Sequence, residues 1–148
     1  MSDDTGEAAR MDRKHIFVVN GSPMFLDLMR MVLQDEHYNV TTTNFVPRTF
    51  EQIIGLQPDL LIVDLAVKEM AGWTLLERLK QEAQTHEIPV IVVSTTPGHL
   101  EKAEAESERY SGQLYVAKPF NLDDILDGVR SLIGGARRTE DNAVPASP

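Results

Sequence analysis

The segment FVVNGSPMFL, residues 17–26, contains the transition that decides the fold: an apolar run, a turn and the start of a helical pattern. The run is rich in β-branched and aromatic residues, which predicts a strand buried on both faces. Ser22 and Pro23 then supply a helix N-cap and the proline favoured in a first helical turn. In a parallel α/β sheet, ligands bind at the carboxyl ends of the strands. The tip at Asn20 and Gly21 therefore lies where function is expected, yet it holds none of the 23 acidic residues.

The same alternation of apolar run and helical pattern recurs along the chain. Further strands are predicted at 38–43, 59–65, 88–94 and 113–118, with helices between and after them, including a polar helix at 100–110. Strict alternation with short connections predicts a parallel sheet with helices on both faces. Residues 38–43 alternate between apolar and polar side chains, so this strand is expected at an edge. The prediction is an α/β, flavodoxin-like (βα)5 doubly wound parallel sheet with strand order 2-1-3-4-5.

The 148 residues suffice for one domain with a core. We predict a folded domain at 14–133, between a disordered arm at 1–13 and a disordered tail at 134–148, because neither end has an apolar period. The residues after 133 are too few for a DNA-binding module. Output is therefore expected to act through another protein, unless this sequence is a piece of a longer one.

Composition excludes several classes of function. A formal net charge of −9 argues against nucleic acid as the main partner, because phosphate binding needs a basic face. The sequence has neither an apolar run of the ~18 residues that a membrane helix needs nor a signal peptide, so we expect no membrane insertion and a cytoplasmic location. It has no cysteine, no Gly-rich phosphate loop and no histidines at metal-binding spacing, so we expect no enzyme.

Polar residues stand where four of the predicted strands end: Asn20, Asp64, Ser94 and Lys118. In the predicted topology these four ends meet at one rim of the sheet. A carboxylate can act as a nucleophile toward a phosphoryl group, and a lysine and a hydroxyl can hold the resulting oxygens. A purely structural alternative is that Asp64 caps a turn and pairs with Lys118.

These residues stand in segments that resemble the receiver domains of two-component response regulators. PDLLIVDLAVKEMAGWTLLERLK, residues 58–80, resembles the family's phosphoacceptor segment, with Asp64 at the aspartate and Gly72 eight residues later. Ser94 in IPVIVVST matches the family's switch hydroxyl. In YVAKPF, Tyr115 matches the switch aromatic and Lys118 the family's lysine. The resemblance covers about residues 14–133.

The resemblance implies a phosphorelay function. A histidine kinase or a phosphotransfer protein would donate a phosphoryl group to Asp64, and Ser94 and Lys118 would contact its oxygens. Tyr115 would then turn inward, and the surface formed by the fourth helix, fifth strand and fifth helix would bind a downstream protein.

The sequence departs from the family at the first strand. The family's adjacent acidic pair, which helps to hold Mg²⁺, is matched here by Asn20 and Gly21. Asp64, the backbone carbonyl of Ala66 and the Asn20 amide remain as ligands, and Mg²⁺ prefers charged oxygens. We therefore expect Mg²⁺ binding to be weak or absent. The alternative function is a phosphorylation-independent pseudo-receiver that acts as a protein interaction module.

Overall fold

A computed structural model of the chain describes residues 13–65, 70–117 and 121–137. Within these ranges strands and helices alternate strictly. The strands are β1 (His15–Val19), β2 (Asn39–Thr43), β3 (Leu60–Asp64), β4 (Val90–Ser94) and β5 (Leu114–Ala117). The helices are α1 (Pro23–Asp35), α2 (Thr49–Leu56), α3 (Ala71–Gln81), α4 (Pro97–Ala105) and α5 (Leu122–Ile133).

The strands form one parallel sheet in the order β2-β1-β3-β4-β5. This confirms the predicted topology and the edge position of β2. All five residues of β2 are half-buried, whereas all five residues of the inner strand β4 are buried. The alternating pattern of residues 38–43 therefore reflects the partial exposure of an edge strand.

The two faces of the sheet bury different side chains, as the two-residue period of a strand requires. Phe17 packs in one apolar cluster with Leu76 of α3. Its neighbour Ile16 packs in the other cluster, with Met29 of α1 and Val129 of α5. Helices therefore cover both faces, and the carboxyl ends of the strands remain as a rim between the two helical layers.

Helix α1 begins as the sequence predicts. The Ser22 hydroxyl accepts a hydrogen bond from the Phe25 backbone N–H at 3.3 Å, and Pro23 occupies the first turn. That turn contains no acidic residue. The positive end of the helix dipole is therefore uncompensated by a carboxylate from its own first turn, next to the end of β1.

The packed region extends past the predicted boundary at residue 133. The Lys14 backbone N–H donates to the Ala136 carbonyl at 2.6 Å, and the Tyr38 hydroxyl donates to the Gly134 carbonyl at 2.7 Å. Ala136 is buried, and Arg137 forms an antiparallel bridge with Arg13. Residues 134–137 are therefore packed against the start of β1, and the rest of the predicted arm and tail lies outside the described residues. None of the described helices is both long and apolar enough to cross a membrane.

Candidate functional site

Asp64 ends strand β3 at the carboxyl rim. The four residues before it, Leu60–Val63, are buried, whereas Asp64 itself is half-buried. The strand is held beyond this point, because the Leu65 backbone N–H donates to the Val93 carbonyl at 3.0 Å. The fold thus fixes the backbone of Asp64 while leaving the residue partly exposed to solvent.

Gly72 forms the contact between the start of α3 and the end of β3. A Cβ atom at this position would lie 2.3 Å from the Asp64 carbonyl oxygen and 2.9 Å from the Leu65 Cα atom. Both are backbone atoms, which cannot rotate away as the end of a side chain can. The glycine eight residues after Asp64 therefore has a steric reason in this structure: it lets α3 pack directly on the backbone that carries Asp64.

Asn20 stands at the end of β1 and is 1% exposed. Its Oδ1 accepts a hydrogen bond from the Ser22 backbone N–H at 2.8 Å, and its own backbone N–H donates to the Thr43 carbonyl at 3.1 Å. Its Nδ2 is buried and has no hydrogen-bond partner in the described part of the chain. Asn20 therefore presents an unpaired N–H donor at the rim, where an acidic residue would present oxygens.

The sheet register brings Asn20 and Asp64 together. Val19 of β1 pairs with Val63 of β3, so the next step of the same register places Asn20 beside Asp64. Because both strands are parallel and hydrogen-bonded, these two residues follow the same side-chain alternation. The register of β1 and β3, extended by one residue, therefore places two of the four predicted strand-end residues side by side.

Ser94 ends β4 and is fully buried. Its Oγ accepts a hydrogen bond from the Thr96 backbone N–H at 3.0 Å, and its O–H lies 3.4 Å from the Thr96 carbonyl. The hydroxyl is thus bound to the loop that leads into α4. Ser94 pairs in register with Ala117 of β5, one residue before Lys118, which itself lies outside the described residues.

Tyr115 of β5 is half-buried against the apolar cluster that contains Trp73. Its hydroxyl donates to the Gly112 carbonyl at 3.1 Å. Gly112 precedes β5, so the hydroxyl is held toward the amino end of the strand and away from the rim. Burial raises the pKa of the Tyr115 phenol, and the negative charge of Glu104 raises it further.

The described residues do not provide the oxygen-rich set that Mg²⁺ prefers. Residues 13–65, 70–117 and 121–137 contain no cluster of three or more His, Asp or Glu side chains able to hold a metal. Gly21 contributes no side chain, and the Asn20 Oδ1 already accepts the Ser22 N–H. The expected ligand Ala66 lies outside the described residues.

An aromatic cluster between α3 and α4 was not predicted from the sequence. The Trp73 ring makes edge contacts with His99, at 5.6 Å between centroids, and with Tyr110, at 5.0 Å. The His99 backbone N–H donates to the Thr96 carbonyl, and Thr96 is also the partner of Ser94. This cluster therefore connects the Ser94 loop to α3. No short sequence pattern predicts this cluster, because its ring contacts join residues that are at least 26 positions apart in the chain.

A groove between α2 and α3 was also not predicted from the sequence. It has a volume of about 320 Å³ and is lined mainly by apolar residues from 45–50 and from α3. The Arg78 guanidinium stacks over the Phe50 ring at 3.9 Å from its centroid. The groove depends on the loop before α2, whose shape the sequence pattern does not specify.

The chain is similar in sequence to a known protein family. The sequence profile of the response regulator receiver domain matches residues 16–130, well over half of the chain. The chain therefore belongs to the response regulator receiver domain family of two-component signalling. This confirms the resemblance found in the sequence.

Curated relatives of known name are similar along most of this chain. The DNA-binding dual master transcriptional regulator RpaA of Synechocystis sp. is 27% identical over 125 residues, covering 84% of this chain and 50% of RpaA. The polar-differentiation response regulator DivK of Brucella ovis is 23% identical over 124 residues, covering 83% of this chain and 98% of DivK. The chain thus spans about half the length of RpaA but nearly all of DivK.

Solved structures agree with the fold. The chemotaxis protein CheY4 of Vibrio cholerae superposes with a TM-score of 0.70 at 20% identity, covering 82% of this chain and 99% of CheY4. The N-terminal domain of a response regulator receiver protein from Methanoculleus marisnigri gives a TM-score of 0.60 at 27% identity, covering 80% of this chain and 95% of that domain. The flavodoxin-like order of the sheet is therefore the order of this family.

Proposed function

We propose that this chain acts as a receiver domain in a phosphorelay and that Asp64 accepts a phosphoryl group from a histidine kinase or a phosphotransfer protein. One observation carries the proposal: Asp64 is a half-buried aspartate at the carboxyl end of an otherwise buried parallel strand. In the transfer, an Asp64 carboxylate oxygen forms a bond to phosphorus while the bond from phosphorus to the donor's histidine nitrogen breaks. The electron pair of the broken bond stays on that nitrogen.

Ser94 and Lys118 are proposed to contact the phosphoryl oxygens. The Ser94 O–H now lies 3.4 Å from the Thr96 carbonyl, which is too long for a strong hydrogen bond. Exchanging this contact for a bond to a phosphoryl oxygen therefore loses little. The Ser94 Oγ would still accept the Thr96 backbone N–H, so its movement toward the phosphoryl group would pull on the Thr96 segment and on the start of α4.

Tyr115 is proposed to respond to this movement. Turning its ring would break the hydrogen bond from its hydroxyl to the Gly112 carbonyl, a net cost of about 0.5–1.5 kcal/mol. A new charge-assisted contact at Asp64 can offset a cost of that size. The altered surface of α4, β5 and α5 would bind a downstream protein, and the net charge of −9 favours a protein over a nucleic acid.

We further propose that the chain works in the cytoplasm, turns over no substrate of its own and binds Mg²⁺ weakly or not at all. The last of these rests on the unpaired Nδ2 of Asn20, a donor where a metal ligand must be an acceptor.

The phosphoacceptor proposal is tested with acetyl phosphate, a small donor that requires no knowledge of the kinase. The intact mass of the protein is measured before and after incubation, alongside the Asp64→Asn variant, which keeps the shape of the side chain. We expect the unmodified protein to gain one phosphoryl group and the variant to gain none. Equal labelling of the two proteins would refute Asp64 as the acceptor.

A phosphorylation-independent pseudo-receiver is the second candidate, favoured by Asn20 and Gly21 at the positions of the family's acidic pair. It predicts no mass gain in the unmodified protein. It also predicts that a double variant, Asn20→Asp with Gly21→Asp, gains a phosphoryl group when Mg²⁺ is present. The second side chain has room, because nothing lies within 4 Å of a Cβ atom placed on Gly21.

A further inference from the structure

The Asn20 side chain has a buried N–H donor without an acceptor, close to the end of β1. The side chain is 1% exposed, and its Nδ2 has no hydrogen-bond partner among the described residues. Its orientation is fixed, because exchanging Oδ1 and Nδ2 would set an N–H donor against the Ser22 N–H at 2.8 Å. Buried donors without acceptors are rare in folded proteins, and each calls for an explanation.

The residue that carries this donor directly follows β1, and Asp64 ends the neighbouring strand β3. The register of β1 and β3 places Asn20 beside Asp64, and neighbouring strands lie about 4.8 Å apart. A phosphoryl group attached to the Asp64 carboxylate would extend outward from β3 by one further bond, with three oxygens that accept hydrogen bonds. An N–H donor on the adjacent strand is then within reach of one of them.

A second positive group lies at the same rim. Helix α1 has 13 residues, begins two residues after Gly21 and has no acidic residue in its first turn. The N-terminus of such a helix favours a negative charge, and here no carboxylate of that turn competes for it. The end of β1 and the start of α1 therefore favour an anion, where an acidic pair would favour a cation.

We propose that Asn20 and the start of α1 form a metal-independent phosphoryl-binding site, in which the Asn20 Nδ2 donates a hydrogen bond to an oxygen of the group on Asp64. This inference rests on the proposed function. With acetyl phosphate as donor, the Asp64 oxygen bonds to phosphorus, the phosphorus–oxygen bond to acetate breaks, and acetate leaves with the electron pair. No proton is transferred, and Asn20 keeps both of its amide hydrogens.

The sign of the charge at position 20 makes the inference testable. A carboxylate at this position would repel both Asp64 and the incoming phosphoryl group unless a cation lay between them. The Asn20→Asp variant has almost the same shape as the original residue. It should therefore convert labelling that tolerates removal of metal into labelling that requires metal.

The experiment follows the labelling rate with acetyl phosphate by intact mass, once with Mg²⁺ and once with EDTA. The unmodified protein should be labelled at similar rates in both conditions. Asn20→Asp should be slower in EDTA than in Mg²⁺ by about tenfold or more, the scale expected when a charged contact is lost. Gly21→Ala is the matched control, because its new methyl group meets nothing within 4 Å, and it should behave as the unmodified protein.

Two further measurements separate a binding role from a structural one. Titration of Mg²⁺ by calorimetry should give no heat of binding with the unmodified protein and measurable binding with the double variant Asn20→Asp, Gly21→Asp. Asn20→Ala should be labelled about tenfold more slowly in EDTA if it retains its circular dichroism spectrum, because it lacks the donor. If Asn20→Ala does not fold, the metal dependence of Asn20→Asp still decides the question.

Failure of this inference differs from failure of the proposed function. Labelling of the unmodified protein only in the presence of Mg²⁺ would overturn the metal-independent site and leave Asp64 as acceptor. Labelling of Asn20→Asp that is insensitive to EDTA would also overturn it. No labelling of the unmodified protein in either condition would overturn both.

Discussion

Replacement of Gly72 by alanine tests the contact on which the position of Asp64 depends. The added Cβ would lie 2.3 Å from the Asp64 carbonyl oxygen, and real Cβ atoms essentially never approach closer than 3.0 Å. The start of α3 must therefore move away from β3 by about 0.7 Å, against the packing of Trp73 and Leu76 in the core. Overpacking of this kind costs about 1–3 kcal/mol.

Gly55→Ala is the matched control for this prediction. Gly55 lies in helix α2, and nothing lies within 4 Å of a Cβ atom placed there. Alanine should therefore leave stability unchanged or raise it by up to about 1 kcal/mol, because it favours a helix.

Urea unfolding followed by the fluorescence of the single tryptophan, Trp73, measures both variants. A loss of about 2 kcal/mol lowers the unfolding midpoint by about 1 M at a typical dependence on urea. We expect this shift for Gly72→Ala and none or the opposite for Gly55→Ala. Equal midpoints for the two variants would refute the steric role of Gly72.

Three other predictions concern tyrosines and a surface ion pair. Burial raises the pKa of Tyr38 and of Tyr115 from the ordinary value of 10.0. The folded protein therefore holds these protons more tightly than the unfolded chain, and its stability should fall as the pH rises above about 10. An absorbance titration should detect phenols that ionise at a higher pH than free tyrosine. Gly112→Ala places a Cβ atom 2.6 Å from the Tyr115 hydroxyl, so it should displace that ring and lower its pKa toward the ordinary value in the same titration. Arg130 bonds to Glu36 at 2.6 Å on an exposed surface, so Arg130→Gln should lower the urea midpoint slightly in dilute buffer and not at all in 1 M salt.

The sheet was predictable because its signals are local. The run before Asn20 and the run before Asp64 are buried on both faces, so each is apolar throughout and ends abruptly at a polar residue. The edge position of β2 followed from its alternating pattern. These features give the order of the strands, and the order brings Asn20 and Asp64 to one rim.

Features that depend on distant contacts were not predictable. The helix expected at 100–110 runs instead from Pro97 to Ala105, and Tyr110 lies beyond it, buried against Trp73. Ala136 packs against the start of β1 through a bond to Lys14, more than a hundred positions away in the chain. In the site, the sequence identified Asn20 as a lost metal ligand, but the direction of its amide depends on the bond to Ser22.

The central claim is that Asp64 carries the phosphoryl group, and chemical trapping tests it most directly. Borohydride reduces an aspartyl phosphate to homoserine, so treatment of the acetyl phosphate-labelled protein marks the modified residue in a peptide mass spectrum. We expect homoserine at position 64 and at no other aspartate. Homoserine elsewhere in the chain, or none at all, would contradict it.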